Sequence, residues 1–137
     1  MTDNDAVLAL NQAFYRAFAE RDIAVMDRLW ASGLPVSCIH PGWAALFGRG
    51  PVMESWTALL SAPEGPAIRP RNERVSFHGD SALVLCEEVL GGTVLAATNL
   101  FARESGSWRL VHHQAGPVAD PRPTIRPPAG VAPRRLH

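Results

Sequence analysis

The sequence predicts an α+β domain in which three N-terminal helices pack on a curved antiparallel sheet. Three observations carry that expectation. Apolar residues recur at helical spacing through the first part of the chain, four β-rich runs then follow in succession, and glycine-bearing turns separate those runs. At 137 residues the chain has the length of one domain with one core.

Taken in order, Val7, Leu10, Phe14 and Phe18 fall on one helical face. Thr2, Asp3 and Asn4 precede them, each able to accept the first free amide protons. Asp22 then reads as the N-cap of a second helix with the stripe Ile23, Met26, Leu29 and Trp30, ended by Gly33 and Pro35. The period changes at residues 36–40, a short β-branched and apolar run stopped by Pro41 and Gly42. Pro51 suits the first turn of a third helix, with Val52, Trp56, Leu59 and Leu60 on one face as far as Pro63. Beyond the breakers at 62–66, strands are expected at 68–78, 82–90, 93–103 and 108–115. Gly79-Asp80, Gly91-Gly92 and Glu104-Ser105-Gly106 supply the positive φ of tight hairpins, so these strands read as an antiparallel meander. Each helix has a single apolar stripe to bury, so the helices cap one concave sheet face, and the mouth of that cone is a natural pocket.

Composition narrows the function. With 47% hydrophobic and 19% charged residues the chain collapses into a globule, and thirteen basic residues balance thirteen acidic ones, which argues against nucleic acid as a partner. All thirteen basic residues are arginine, and the lack of lysine removes Schiff-base chemistry and the phosphate-gripping lysine of a Walker loop. Apolar runs fall short of the roughly 20 residues that cross a bilayer, and the N-terminus is acidic where a signal peptide is basic, so a cytoplasmic protein without a membrane partner is expected. Cys38 and Cys86 lie in apolar stretches and suit reduced buried thiols. The domain is expected to span residues 1–117, and residues 118–137 to form a flexible tail rich in proline and arginine. Residues 117–137 hold six Pro and four Arg, and no run there could bury a face.

The segments at 14–31 (FYRAFAERDIAVMDRLWA), 38–43 (CIHPGW), 46–56 (LFGRGPVMESW) and 97–117 (ATNLFARESGSWRLVHHQAGP) resemble the nuclear transport factor 2-like superfamily. The likeness is closest to its SnoaL-like members, relatives of the ketosteroid isomerases and of calmodulin-dependent kinase association domains. It covers residues 5–117 and implies the cone-shaped, cystatin-like fold; functions within the superfamily range from isomerases, cyclases and dehydratases to assembly domains.

The resemblance places His40, in His40-Pro41, where the isomerases carry a general-base aspartate. An imidazole there titrates near neutral pH, and alternatively caps the strand beside the turn. The isomerases' oxyanion tyrosine matches Phe14, which donates no hydrogen bond, and residues 96–101 hold no carboxylic acid, so ketosteroid isomerisation is disfavoured. Asn99 matches a pocket-lining arginine of the kinase association domain and is implied to face inward, where it either orients a ligand or simply satisfies an irregularity of the sheet. Adjacent strand residues point to opposite faces. The resemblance turns His113 inward with Val111 and Ala115, leaving His112 outside with Trp108, Leu110 and Gln114, an apolar outer face suited to a homodimer. By the same alternation Glu87 and Glu88 cannot form a dyad, and one of them is expected to be a solvated or interface charge. No metal-ligand spacing is present, and Ser55, Ser76 and Ser81 have no base nearby in sequence. Trp43, after its Pro-Gly turn, and Trp56 are candidates to wall a pocket, with plain core packing the alternative for Trp56.

Two functions therefore stand open. In one, an apolar cavity lined by Trp43, Trp56, Asn99 and His113 binds a small organic ligand. Any catalysis is cofactor-free proton transfer of an isomerase, dehydratase or cyclase, with His40 as base and Asn99 or His113 as polarising donor. In the other, the chain is a non-catalytic dimeric association module acting through its outer sheet face.

Overall fold

A computed structural model describes residues 1–65 and 67–119. From residue 120 onward, the stretch read as a flexible tail lies outside the described residues. Helix α1 (Asp3–Glu20) begins at Thr2, whose hydroxyl accepts the Asp5 amide at 3.1 Å while the Asp5 carboxylate accepts the Thr2 amide. Two orphan donors are satisfied reciprocally. Arg21, left-handed at φ 57°, ends the helix, and Asp22 at once caps α2 (Ile23–Leu29) through the Val25 amide. Helix α3 (Arg49–Ser61) starts after Gly48, held at φ 90°, with Pro51 in its first turn. The Arg49 guanidinium fastens α3 to α2 by bonding the Asp27, Trp30 and Ala31 carbonyls and the Asp27 carboxylate.

The strands β1 (Ser37–Ile39), β2 (Leu46–Phe47), β3 (Arg69–His78), β4 (Ser81–Leu90), β5 (Thr93–Glu104) and β6 (Ser107–Pro117) form one sheet in the order β2-β1-β6-β5-β4-β3. The last four strands form the expected meander. Two features go beyond the sequence pattern: β2, a two-residue pairing against β1, and the parallel pairing of β1 with β6, which sets Cys38 opposite His113. That parallel pair carries His40, just past the end of β1, toward the inward-facing residues of β6.

Two bulges decide which side chains reach the interior. In β6 the pairing passes from Leu100 opposite His112 to Phe101 opposite Leu110, so Val111 is an extra residue. An inserted residue reverses the alternation on one side of it. Trp108 and Leu110, 7% and 0% exposed, therefore share the inward face with His113 and Ala115, which corrects the expectation that they lie outside with His112. In β3, Asn72 and Glu73 together oppose Cys86, with Asn72 at φ 56°. The concave face (Val84, Phe101, Leu110) packs on Phe14, Met26, Trp30 and Trp56, all at most 1% exposed. Each such side chain contributes about 1.5–3 kcal/mol or more by leaving water.

Candidate functional site

Between the sheet and the helices a cavity of about 220 Å³ remains. Phe18, Trp43, Leu59, Ile68, Leu90 and Leu95 make its apolar wall, and His40, Glu88 and His113 are its titratable groups. Larger depressions, of about 460 and 380 Å³, lie on the surface around Ser32, Glu104 and Arg109. Those hold solvated charges, whereas the smaller cavity confronts a ligand with buried ones, and burial is what gives such groups chemical leverage.

His113 projects inward from β6 and is 1% exposed. Its Nδ1 lies 2.6 Å from the Asn99 side-chain oxygen, an acceptor, so Nδ1 carries the proton and Nε2 holds a lone pair. Burial, with His40 and His112 nearby, pushes its pKa down to about 3, so the ring is neutral. Glu88, on the inward face of β4, is 2% exposed and places Oε2 3.7 Å from His113 Nε2. The Tyr15 hydroxyl donates to the same oxygen at 2.7 Å and accepts from Asn99 Nδ2 at 3.1 Å. Desolvation pushes the Glu88 carboxyl up to about 7, the Tyr15 hydrogen bond opposing it.

His40 is 3% exposed, edge-on to the Trp43 and Trp56 rings, each 4.8 Å away between centroids. Its Nε2 lies 2.8 Å from Ser55 Oγ, and that hydroxyl gives its own proton to the Val52 carbonyl at 2.7 Å. The imidazole must therefore donate to Ser55, the reverse of a base activating a serine nucleophile. Burial pushes the His40 pKa down to about 4.

Of the residues singled out in the sequence, His40, Trp43 and His113 line the cavity. Asn99, fully buried, stands behind them and holds His113. Trp56 is fully buried against Phe14, Phe18 and His40, with its indole N–H lacking a partner, and behaves as core. His112 faces outward and meets Ser37 Oγ at 2.7 Å. Sequence reasoning missed Tyr15 and Glu88. The expected alternation of Glu87 and Glu88 holds: Glu87, bonded to Arg71 and Asn72, is the outer charge, and Glu88 is the one buried at the cavity. Among the described residues no group of three His, Cys, Asp or Glu is placed to hold a metal ion, and no helix is long and apolar enough to cross a membrane.

A proposed dehydratase of the nuclear transport factor 2-like family from Streptomyces avermitilis shares the fold with a TM-score of 0.79 and 35% identity, over 86% of this chain and 97% of that one. A proposed calcium/calmodulin-dependent protein kinase type II association domain from Thiobacillus denitrificans matches with a TM-score of 0.72 and 29% identity, over 81% of this chain and 94% of that one. A cystatin-like protein from Caulobacter vibrioides, 19% identical with a TM-score of 0.73 over 86% and 90% of the two chains, shares the fold alone. The F-box protein SKIP8 of Arabidopsis thaliana is 29% identical over 113 residues, 80% of this chain and 48% of that protein, so the chain spans about half the length of this curated relative. A family model described as the SnoaL-like domain matches residues 7–120. The chain belongs to the SnoaL-like domain family, within the nuclear transport factor 2-like superfamily.

Proposed function

We propose that this protein takes a small, largely apolar organic molecule into the cone and moves a proton on it without a cofactor, as a dehydratase or isomerase does. The observation that carries this reading is the Glu88 carboxyl, poised near pH 7 on the cavity wall and facing the unprotonated Nε2 of His113. A general acid or base works best when its pKa lies near the operating pH. In a dehydration, the Glu88 carboxylate removes the substrate proton and, now a carboxylic acid, delivers it to the departing hydroxyl, which leaves as water; in an isomerisation, Glu88 removes and returns one proton, and in both the neutral His113 ring orients the reacting groups. His40, neutral down to about pH 4, lies too low to be the principal base and orients the substrate instead. The volume is below the roughly 300–1,000 Å³ of sites for drug-sized ligands, which favours a compact substrate. The likeness to the proposed Streptomyces avermitilis dehydratase supports the same reading.

The test is a panel of small β-hydroxy ketones and their enones, scored first by quenching of Trp43 fluorescence and then by turnover. Binding with turnover that Glu88→Gln abolishes supports the proposal; saturable binding without turnover reduces it to a ligand carrier, and no binding overturns it.

A second reading rests on the outer sheet face. Leu85 is 48% exposed there, with Leu83 and Leu100 beside it, and the likeness to the proposed association domain supports a second copy of this chain as its occupant. Sedimentation of the wild type and Leu85→Asp tests it: a dimer lost in the variant supports a homodimer through this face, and a wild-type monomer overturns it.

A further inference from the structure

A chain of hydrogen bonds runs from the edge of the sheet to the cavity. At its outer end Glu73 Oε2 accepts from Asn11 Nδ2 at 2.7 Å. Asn11 Oδ1 then accepts from Asn99 Nδ2 at 2.9 Å, and Asn99 Oδ1 accepts from His113 Nδ1 at 2.6 Å. Asn11 and Asn99 are both fully buried. The two ends of an Asn amide have nearly the same shape, so either amide alone could sit in its site turned over. A carboxylate is different, because it only accepts. With Glu73 at the head of the chain, each amide has one consistent direction, and the last link requires the proton on Nδ1 of His113.

The backbone is shaped to deliver that carboxylate. Glu73 belongs to the two-residue bulge of β3, beside Asn72 at φ 56°, on the outermost strand of the sheet. A regular strand would present this position differently, and bulges commonly re-aim a side chain next to a site. Gln12 on α1 adds a weaker bond to the other carboxylate oxygen, at 3.4 Å.

From this we infer that Glu73 is a positioning residue: acting through Asn11 and Asn99, it fixes the tautomer of His113 and so keeps the Nε2 lone pair turned toward Glu88 and the cavity. Partners that orient a histidine in this way set which ring nitrogen is available for chemistry. The inference deepens the proposed acid–base site and rests on that reading only for its functional consequence; the tautomer itself is a property of the ligand-free protein.

The experiment is nitrogen NMR of the isotope-labelled histidine rings in the full chain without ligand, with His113 identified by the signal missing from His113→Gln. The wild type should show a single Nδ1–H form. In Glu73→Gln the amide at position 73 can also donate, the chain can run in either direction, and both tautomers of His113 should appear, held partly in check by the Tyr15 branch. In the double variant Glu73→Gln/Asn11→Asp, a carboxylate at position 11 can only accept from Asn99, so the single Nδ1–H form should return. A merely structural role for Glu73 would give no such rescue. A wild-type ring protonated on Nε2, an unchanged single form in Glu73→Gln, or a mixture that persists in the double variant overturns the inference. Trp43 quenching by the ligand panel, measured on the same proteins, reads the proposed function separately: binding that survives while the tautomer fails to respond removes this inference alone.

Discussion

Glu88 Oε2 stands 3.7 Å from His113 Nε2, with the two side chains 2% and 1% exposed. Burial penalises a charge on either group, and the Asn99 carbonyl accepts the Nδ1–H hydrogen bond, so the imidazole presents a lone pair to the carboxyl. A lone pair facing a carboxylate is repulsive, and a lone pair facing a carboxylic acid is not. The pair therefore favours a protonated Glu88, and the two groups titrate as one system.

That arrangement makes stability depend on pH in a stated direction. Glu88 titrates at about 7 in the folded chain against an ordinary 4.5. Between those values the unfolded carboxyl is ionised while the folded one keeps its proton, so the group's contribution to stability falls as pH rises through the window and stays reduced above it. Glu88→Gln removes this dependence. Relative to wild type, the variant should gain stability from about pH 4.5 to above 7, by about 3 kcal/mol at roughly 1.4 kcal/mol for each pH unit between the two midpoints. Urea unfolding of both proteins at about pH 5 and about pH 8 checks it, and a difference independent of pH contradicts it.

The Tyr15 hydroxyl opposes the upward shift of Glu88 and also receives an Asn99 proton. Tyr15→Phe strips both buried partners at once. It should destabilise the fold by about 1–3 kcal/mol and move the ionisation midpoint of Glu88 higher still. Chemical denaturation and carboxyl NMR on one sample read the two effects.

Ser55 touches His40 but receives its proton. Ser55→Ala should leave a buried imidazole N–H unpaired, at about 1–3 kcal/mol, while sparing any turnover the wild type shows. Loss of turnover in a folded Ser55→Ala protein would mark Ser55 as a nucleophile instead.

Leu110 and Leu85 separate core from outer face. Leu110→Asp places a charge at a fully buried position and should unfold the chain, at more than about 4 kcal/mol. Leu85→Asp, at a position 48% exposed, should change stability by only about 0.5 kcal/mol and affect self-association instead. Circular dichroism and sedimentation distinguish the two variants.

The helices were legible because their ends are written in single residues: Thr2 and Asp22 cap α1 and α2 as their chemistry demands. The meander was legible because glycine-bearing turns punctuate it. The strand β2 left no pattern, since two residues cannot show a period. The extra residue at Val111 is equally silent in sequence, and it reversed the faces of Trp108 and Leu110. Of the site, His113 was legible from its resemblance to relatives. Glu88 was not, because β4 is apolar on both faces: Leu83 and Leu85 outside read much like Val84 and Cys86 inside, so alternation fixes that Glu87 and Glu88 diverge without saying which one enters the core. Tyr15 was not legible because the resemblance aligns the isomerases' tyrosine with its neighbour Phe14, whose ring packs edge-on against it at 4.9 Å. A resemblance places a residue to within a position or so, and on a helix one position turns a side chain through about 100°.

Everything proposed for the cavity depends on one carboxyl group holding its proton near neutrality. Carboxyl carbon NMR of Glu88, assigned by its loss in Glu88→Gln and followed across pH, measures that directly. The account predicts a midpoint of about 7; a midpoint at the ordinary 4.5 would contradict it.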